Sequence, residues 1–143
     1  MKLIHLLLEE EKAIQFKEPN FAFEWEEAKR YPEFKAMGKE GWIEIAQKGF
    51  ITKYSEIKDV LGNVDLDFKT LEKPKKDRFK LAIETGEIEL PIAVKFNDQD
   101  RDPKSLPYDL VAGNTRLSGL VDISLDPKSP NYGIDPSLWI VNL

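Results

Sequence analysis

The residues best equipped for chemistry in this chain lie together at Gly113-Asn114-Thr115-Arg116. They follow Tyr108 to Ala112, which reads as a short strand, and lead into a helix over Leu117 to about Ile123. Where a strand passes through glycine into a helix, the first backbone N–H groups of the helix have no partner inside it, and the helix dipole adds partial positive charge there. A phosphate suits such a place. Gly113 permits close backbone approach. Asn114 caps the helix or accepts a left-handed turn. Thr115 offers a hydroxyl, and Arg116 a permanent charge with a fork of donors matched to phosphate oxygens. The same letters also describe an ordinary strand-to-helix connection, in which Asn114 merely caps and Arg116 pairs with Asp109 or Asp122.

The elements that position this turn are legible on either side of it. Pro74 is suited to a first helical turn; Phe79, Ala82 and Ile83 then recur at helical spacing, and Thr85-Gly86 ends the segment. Ile88 to Phe96 reads as extended, with Ile92, Val94 and Phe96 on one face. Asn97 to Pro107 and Asp126 to Pro136 are polar and rich in turn formers, so both read as loops, and Leu138 to Leu143 as a last strand. Helix, strand, strand, helix, strand predicts an α/β (α+β) domain, a small mixed sheet with packed helices.

The first half is less regular. The spacing predicts one helix over Glu24 to Arg30, stopped near Pro32, and a second over Gly41 to Lys48 with Gly49 as its C-cap. A third runs from Ser55, as N-cap, to Leu61, closed by Gly62-Asn63. Val64 to Phe68 alternates apolar and acidic residues, a strand-like period that a loop also accommodates. The apolar run from Leu3 to Leu8 is a strand or opens a helix, with His5 a structural histidine within it. Residues 1–65 are thus expected to form a helical, aromatic-rich extension packed on a core of 66–143, in one compact unit.

Composition narrows the function. With 143 residues, 41% of them hydrophobic, the chain is long enough to bury a core without a metal or disulfide. It has no cysteine and a single histidine. Thiolate chemistry, cysteine zinc sites, histidine metal sites and a Ser-His-Asp triad are therefore set aside. No stretch of some 20 apolar residues is present, so no membrane span is expected, and the acidic residues after Leu8 argue against a signal peptide. The expectation is a cytoplasmic protein. The net charge of −5 argues against gripping a DNA backbone as the main task, although Lys73, Lys75, Lys76, Arg78 and Lys80 form a local basic cluster.

Pro91-Ile92-Ala93-Val94, followed by Tyr108-Asp109-Leu110-Val111-Ala112-Gly113-Asn114-Thr115-Arg116-Leu117, resembles the N-terminal domain of ParB-like proteins, in the ParB/sulfiredoxin-like superfamily. Phe79 to Gly86 looks like the helix and glycine that precede this pattern. The resemblance spans roughly residues 70–143. Sulfiredoxins need a cysteine in the Gly-x-x-Arg loop, where Asn114 and Thr115 stand, so that activity is excluded. Partition-type members bind CTP and grip DNA through a downstream helix-turn-helix, for which too few residues follow the loop. The string Ala-Gly-Asn-Thr-Arg-Leu looks most like phage ParB-type proteins, some of which phosphorylate 5-hydroxymethyluracil in DNA. The free-serine kinases of the superfamily carry an acid where Ala112 stands, which counts against serine as substrate.

The resemblance therefore implies a nucleotide-binding protein, a phosphotransferase acting on a hydroxyl acceptor such as 5-hydroxymethyluracil in phage DNA, working in an infected host cell. Gly113, Asn114, Thr115 and Arg116 would hold the phosphates of ATP, ADP or CTP with Mg2+, whose protein ligands remain open. A carboxylate would orient or deprotonate the acceptor. Glu72 is the match by spacing, with Glu89 and Asp109 as alternatives. Lys73, Lys75, Lys76 and Arg78 are the candidate contacts to DNA. The alternatives are a non-catalytic nucleotide-binding switch or DNA-associated module and, last, a nuclease using Asp98, Asp100 and Asp102, which lack the glycine and closing glutamate of a calcium loop. The aromatic first half either covers the pocket or forms a homodimer contact.

Overall fold

The computed structural model describes residues 14–96 and 106–143; the run around His5 and the acids Asp98, Asp100 and Asp102 lie outside the described residues. In chain order the described elements are β1 (Gln15–Lys17), α1 (Trp25–Ala28), α2 (Pro32–Gln47), β2 (Phe50–Lys53), α3 (Tyr54–Ile57), β3 (Leu61–Gly62), α4 (Lys73–Thr85), β4 (Glu87–Glu89), β5 (Ile92–Lys95), β6 (Tyr108–Ala112), α5 (Asn114–Ser124) and β7 (Ser137–Asn142). Short 3-10 turns occupy Lys58–Val60 and Phe68–Thr70.

Ile92-Ala93-Val94 is apolar at every position, the pattern of a strand covered on both faces. It forms the first three residues of β5, the centre of a mixed five-stranded sheet ordered β2-β7-β5-β6-β3. β5 runs parallel to β7 and antiparallel to β6; the outer pairs are β2–β7 antiparallel and β3–β6 parallel. Ile92 and Val94 pack with Trp42, Phe34 and Ala46 of α2, while Ala93 joins Leu117 of α5 and Leu138 and Ile140 of β7. Alternate residues of one strand thus bind two helical layers, which fixes the register of the sheet. A third cluster of Phe68, Phe79, Ile88 and Leu120 joins α4 to α5. Gly119 makes that joint possible. A Cβ there would stand 2.6 Å from the Phe79 ring. Gly119→Ala is expected to cost about 1–3 kcal/mol by overpacking, read as a lower urea midpoint at unchanged slope.

Several local expectations are corrected. The helix expected over Glu24 to Arg30 is shorter, closing at Ala28 ahead of Pro32, and Pro32 itself opens α2, because its missing N–H is harmless in the first turn. The Gly41–Lys48 segment is the far half of that helix, which breaks at Gly38, where φ is 79°. Lys48, with φ −85°, is the C-cap, so Gly49 holds neither that place nor a left-handed conformation. Its role is close approach, with the Ile140 carbonyl and the Trp139 indole lying where a Cβ would go. Ser55 is not an N-cap: the helix begins at Tyr54, and the Ser55 N–H and hydroxyl both donate to Asp135. That helix ends at Ile57 and gives way to a 3-10 turn. Val64 to Phe68 forms no strand. The Asp65 N–H donates to the Asn114 Oδ1 at 2.9 Å and the Asp67 N–H to the Asp65 Oδ1 at 3.1 Å, so side chains take donors that a ladder would use. The stretch Ile88 to Phe96 divides at Pro91, with β4 pairing in parallel with β1 in a separate two-stranded sheet. The first half is not purely helical, because β2 and β3 join the main sheet.

Candidate functional site

β6 ends in Ala112, Gly113 takes φ 89°, and α5 begins at Asn114. The first bond closing α5 runs from the Leu117 N–H to the Gly113 carbonyl at 2.8 Å. Among the described residues, nothing accepts from the N–H groups of Asn114, Thr115 and Arg116 or bonds the Thr115 hydroxyl. Asn114 does not cap; its Oδ1 receives the Asp65 N–H.

This turn borders a cleft of about 920 Å³. Lys75 and Arg78 enter it from α4, one turn apart, and neither has an ion-pair partner among the described residues. Two unpaired cations and three free N–H groups around one cavity are the makings of an anion site. Phe79 and Ala82 of α4 add an apolar wall, and Phe23, 71% exposed, stands at the rim.

Arg116 lies differently from the expectation. Its guanidinium folds back over Gly113, where a Cβ would come within 2.9 Å of Nη2. There Nη2 sits 3.2 Å from the Glu24 Oε1 and Nη1 3.5 Å from the Glu89 Oε2. Neither Asp109 nor Asp122 is its partner. The Glu24 side chain is 6% exposed, and burial pushes its carboxyl above the ordinary glutamate value. Arg116 pulls against that shift and the neighbouring Glu89 adds to it. Arg116 thus holds two carboxylates together at the cleft floor.

Of the expected carboxylates, Glu89 lines the cleft, whereas Glu72 and Asp109 do not. Glu72 is exposed before α4, where its carbonyl accepts the Lys75 N–H. Asp109 lies on β6 beside Gly62. The basic cluster divides: Lys75 and Arg78 face the cleft, while Lys76 reaches the Lys69 carbonyl at 3.3 Å and Lys73 does not line the site. Sequence reasoning missed Glu24, Phe23, Asn63 and the ion pair Glu27–Arg30, all on the cleft wall. Nothing in the local pattern of Phe23-Glu24-Trp25-Glu26-Glu27 sets Glu24 apart from its acidic neighbours.

Among the described residues no group of three or more metal-ligating side chains occurs, and no helix is long and apolar enough to cross a membrane. No protein-family model, no curated protein and no solved structure matches this chain.

Proposed function

We propose that the cleft binds the phosphates of a nucleotide and that the protein is a ParB-like phosphotransferase, delivering a phosphoryl group to a hydroxyl acceptor such as 5-hydroxymethyluracil in DNA. The observation carrying this reading is the convergence of the free N–H groups of Asn114 to Arg116 with the unpaired Lys75 and Arg78. Phosphoryl transfer requires chiefly positioning and charge neutralisation, which such donors supply. The chain order α4, Gly86, β4, β5, β6, Gly113, α5, of which α4, β4, β6, Gly113 and α5 border the cleft, supports the family resemblance. Glu89, with a third of its side chain exposed, is the carboxylate suited to receive the acceptor's proton. Arg116 engages both Glu24 and Glu89, so a magnesium ion would ride chiefly on the nucleotide's own phosphates.

That same engagement favours a second reading, a nucleotide-binding switch without turnover. Labelled ATP with 5-hydroxymethyluracil DNA or small hydroxyl compounds separates the two. Label transfer to any of them supports the kinase, and stabilisation by ADP or CTP without transfer supports the switch. Ligand at ~100 times its Kd should add about 2.7 kcal/mol to stability. Lys75→Ala and Arg78→Ala, both at exposed positions, are each expected to weaken ADP binding about tenfold while leaving the unliganded melting temperature within about a degree. Unchanged affinity in both variants would remove the phosphate site from this cleft.

A further inference from the structure

The cleft is far larger than a phosphate needs, and its volume lies in the range of sites that enclose whole small molecules. What fills the remainder is indicated by Phe23. A solitary exposed aromatic is ordinary on a protein surface. This one lines the same cavity as the unpaired cations, and its neighbours in sequence fix it there. Phe21 is 5% exposed, its ring 5.6 Å from that of Trp139 and its carbonyl receiving the Trp42 indole N–H at 2.8 Å. Glu24 is tied to Arg116. The Phe23 N–H itself donates to the Asn20 Oδ1 at 3.1 Å. The backbone on both sides is therefore anchored while the ring stays open to solvent, an arrangement already organised for a ligand. Phe79 and Ala82 supply further apolar surface to the same cavity.

We infer that Phe23 is the platform on which the base of the bound nucleotide stacks, so that the site selects nucleotides over bare phosphate anions. This rests on the phosphate reading above and extends it to the ligand's other end. Every base has a π-face, and stacking on an aromatic side chain tolerates any of them. The platform lies in the first half of the chain and the phosphate donors in the second, so one ligand bridges the two.

The test is calorimetric titration of the full chain with ADP, CDP and inorganic pyrophosphate, for the wild type and for Phe23→Ala and Phe23→Tyr. The wild type is expected to bind ADP and CDP at least about tenfold more tightly than pyrophosphate, the size of base–aromatic stacking. Phe23→Ala should lose that margin and keep its pyrophosphate affinity, and Phe23→Tyr should retain both. An ADP affinity unchanged by Phe23→Ala, or ADP and pyrophosphate weakened alike, overturns the platform while leaving the phosphate site standing. Wild-type protein that binds none of the three overturns both.

Discussion

Arg116→Met is expected to destabilise the protein by about 3 kcal/mol at neutral pH, and by progressively less as the solution is acidified. The variant keeps the packing of the arginine stem and removes the charge that Glu24 faces from its buried position. Breaking a buried pair by deleting one partner leaves an uncompensated charge and costs about 3–5 kcal/mol. The low end applies, because Arg116 itself retains 22% of its side-chain exposure and Glu89 is free to turn toward water. The pH dependence follows from the direction of the Glu24 shift. Its folded carboxyl is raised, so between the unfolded value and the folded one the native state binds more protons, and stability falls as pH rises through that window. Removing Arg116, which pulls the value down, widens the window upward. The penalty is therefore full above it and absent well below it. Urea denaturation from pH 4 to pH 8 measures this. A cost that is the same at every pH would show that Arg116 does not act by compensating the Glu24 charge. Glu24→Gln, which keeps an acceptor oxygen toward Nη2, should abolish the pH-dependent component.

Gly113→Ala should cost about 3 kcal/mol or more and weaken nucleotide binding at least tenfold. Two effects add. A φ of 89° strains an alanine by about 1–2 kcal/mol. The new Cβ would also lie 2.9 Å from the Pro91 Cα and 2.9 Å from the Arg116 Nη2. The guanidinium can swing away, but Pro91 is fully buried at the head of the central strand, so the turn must move instead. Moving it rotates the N–H groups of residues 114–116 out of the cleft. Gly133→Ala is the control. Its φ is 83° with nothing within 4 Å of the added carbon, so it bears a positive φ without the collision. If Gly113→Ala costs no more than Gly133→Ala, the close approach to Pro91 has no energetic consequence.

The turn itself was legible because its signal is local. An apolar strand, a glycine and helical spacing are written within 16 consecutive residues, and β6, Gly113 and α5 follow them. The partner of Arg116 was not legible. Glu24 stands 92 positions earlier and is brought over by the layer of α1 and α2, whose placement depends on Trp42 and Phe34 burying against β5 and β7. For the same reason the choice among acids went partly astray. Glu89 sits where Pro91 turns the chain into β5 and so faces the cleft, whereas Glu72, chosen by spacing, ends up in solvent. Pro91 misled in a second way. Ile88, Leu90, Ile92 and Val94 keep an apolar residue at every second position across it, so the pattern does not announce that β4 leaves to pair with β1. The basic cluster read as one feature because charge is additive along a sequence, while on a helix only residues three or four apart share a face, which is why Lys75 and Arg78 point together and Lys76 does not.

The most direct test of the anion site is an amide NMR titration of the full chain with ADP. Saturable shifts should be largest at the N–H groups of Asn114, Thr115 and Arg116, and Lys75→Ala/Arg78→Ala together should abolish them. Shifts that leave residues 114–116 unmoved, whatever else responds, would contradict the account.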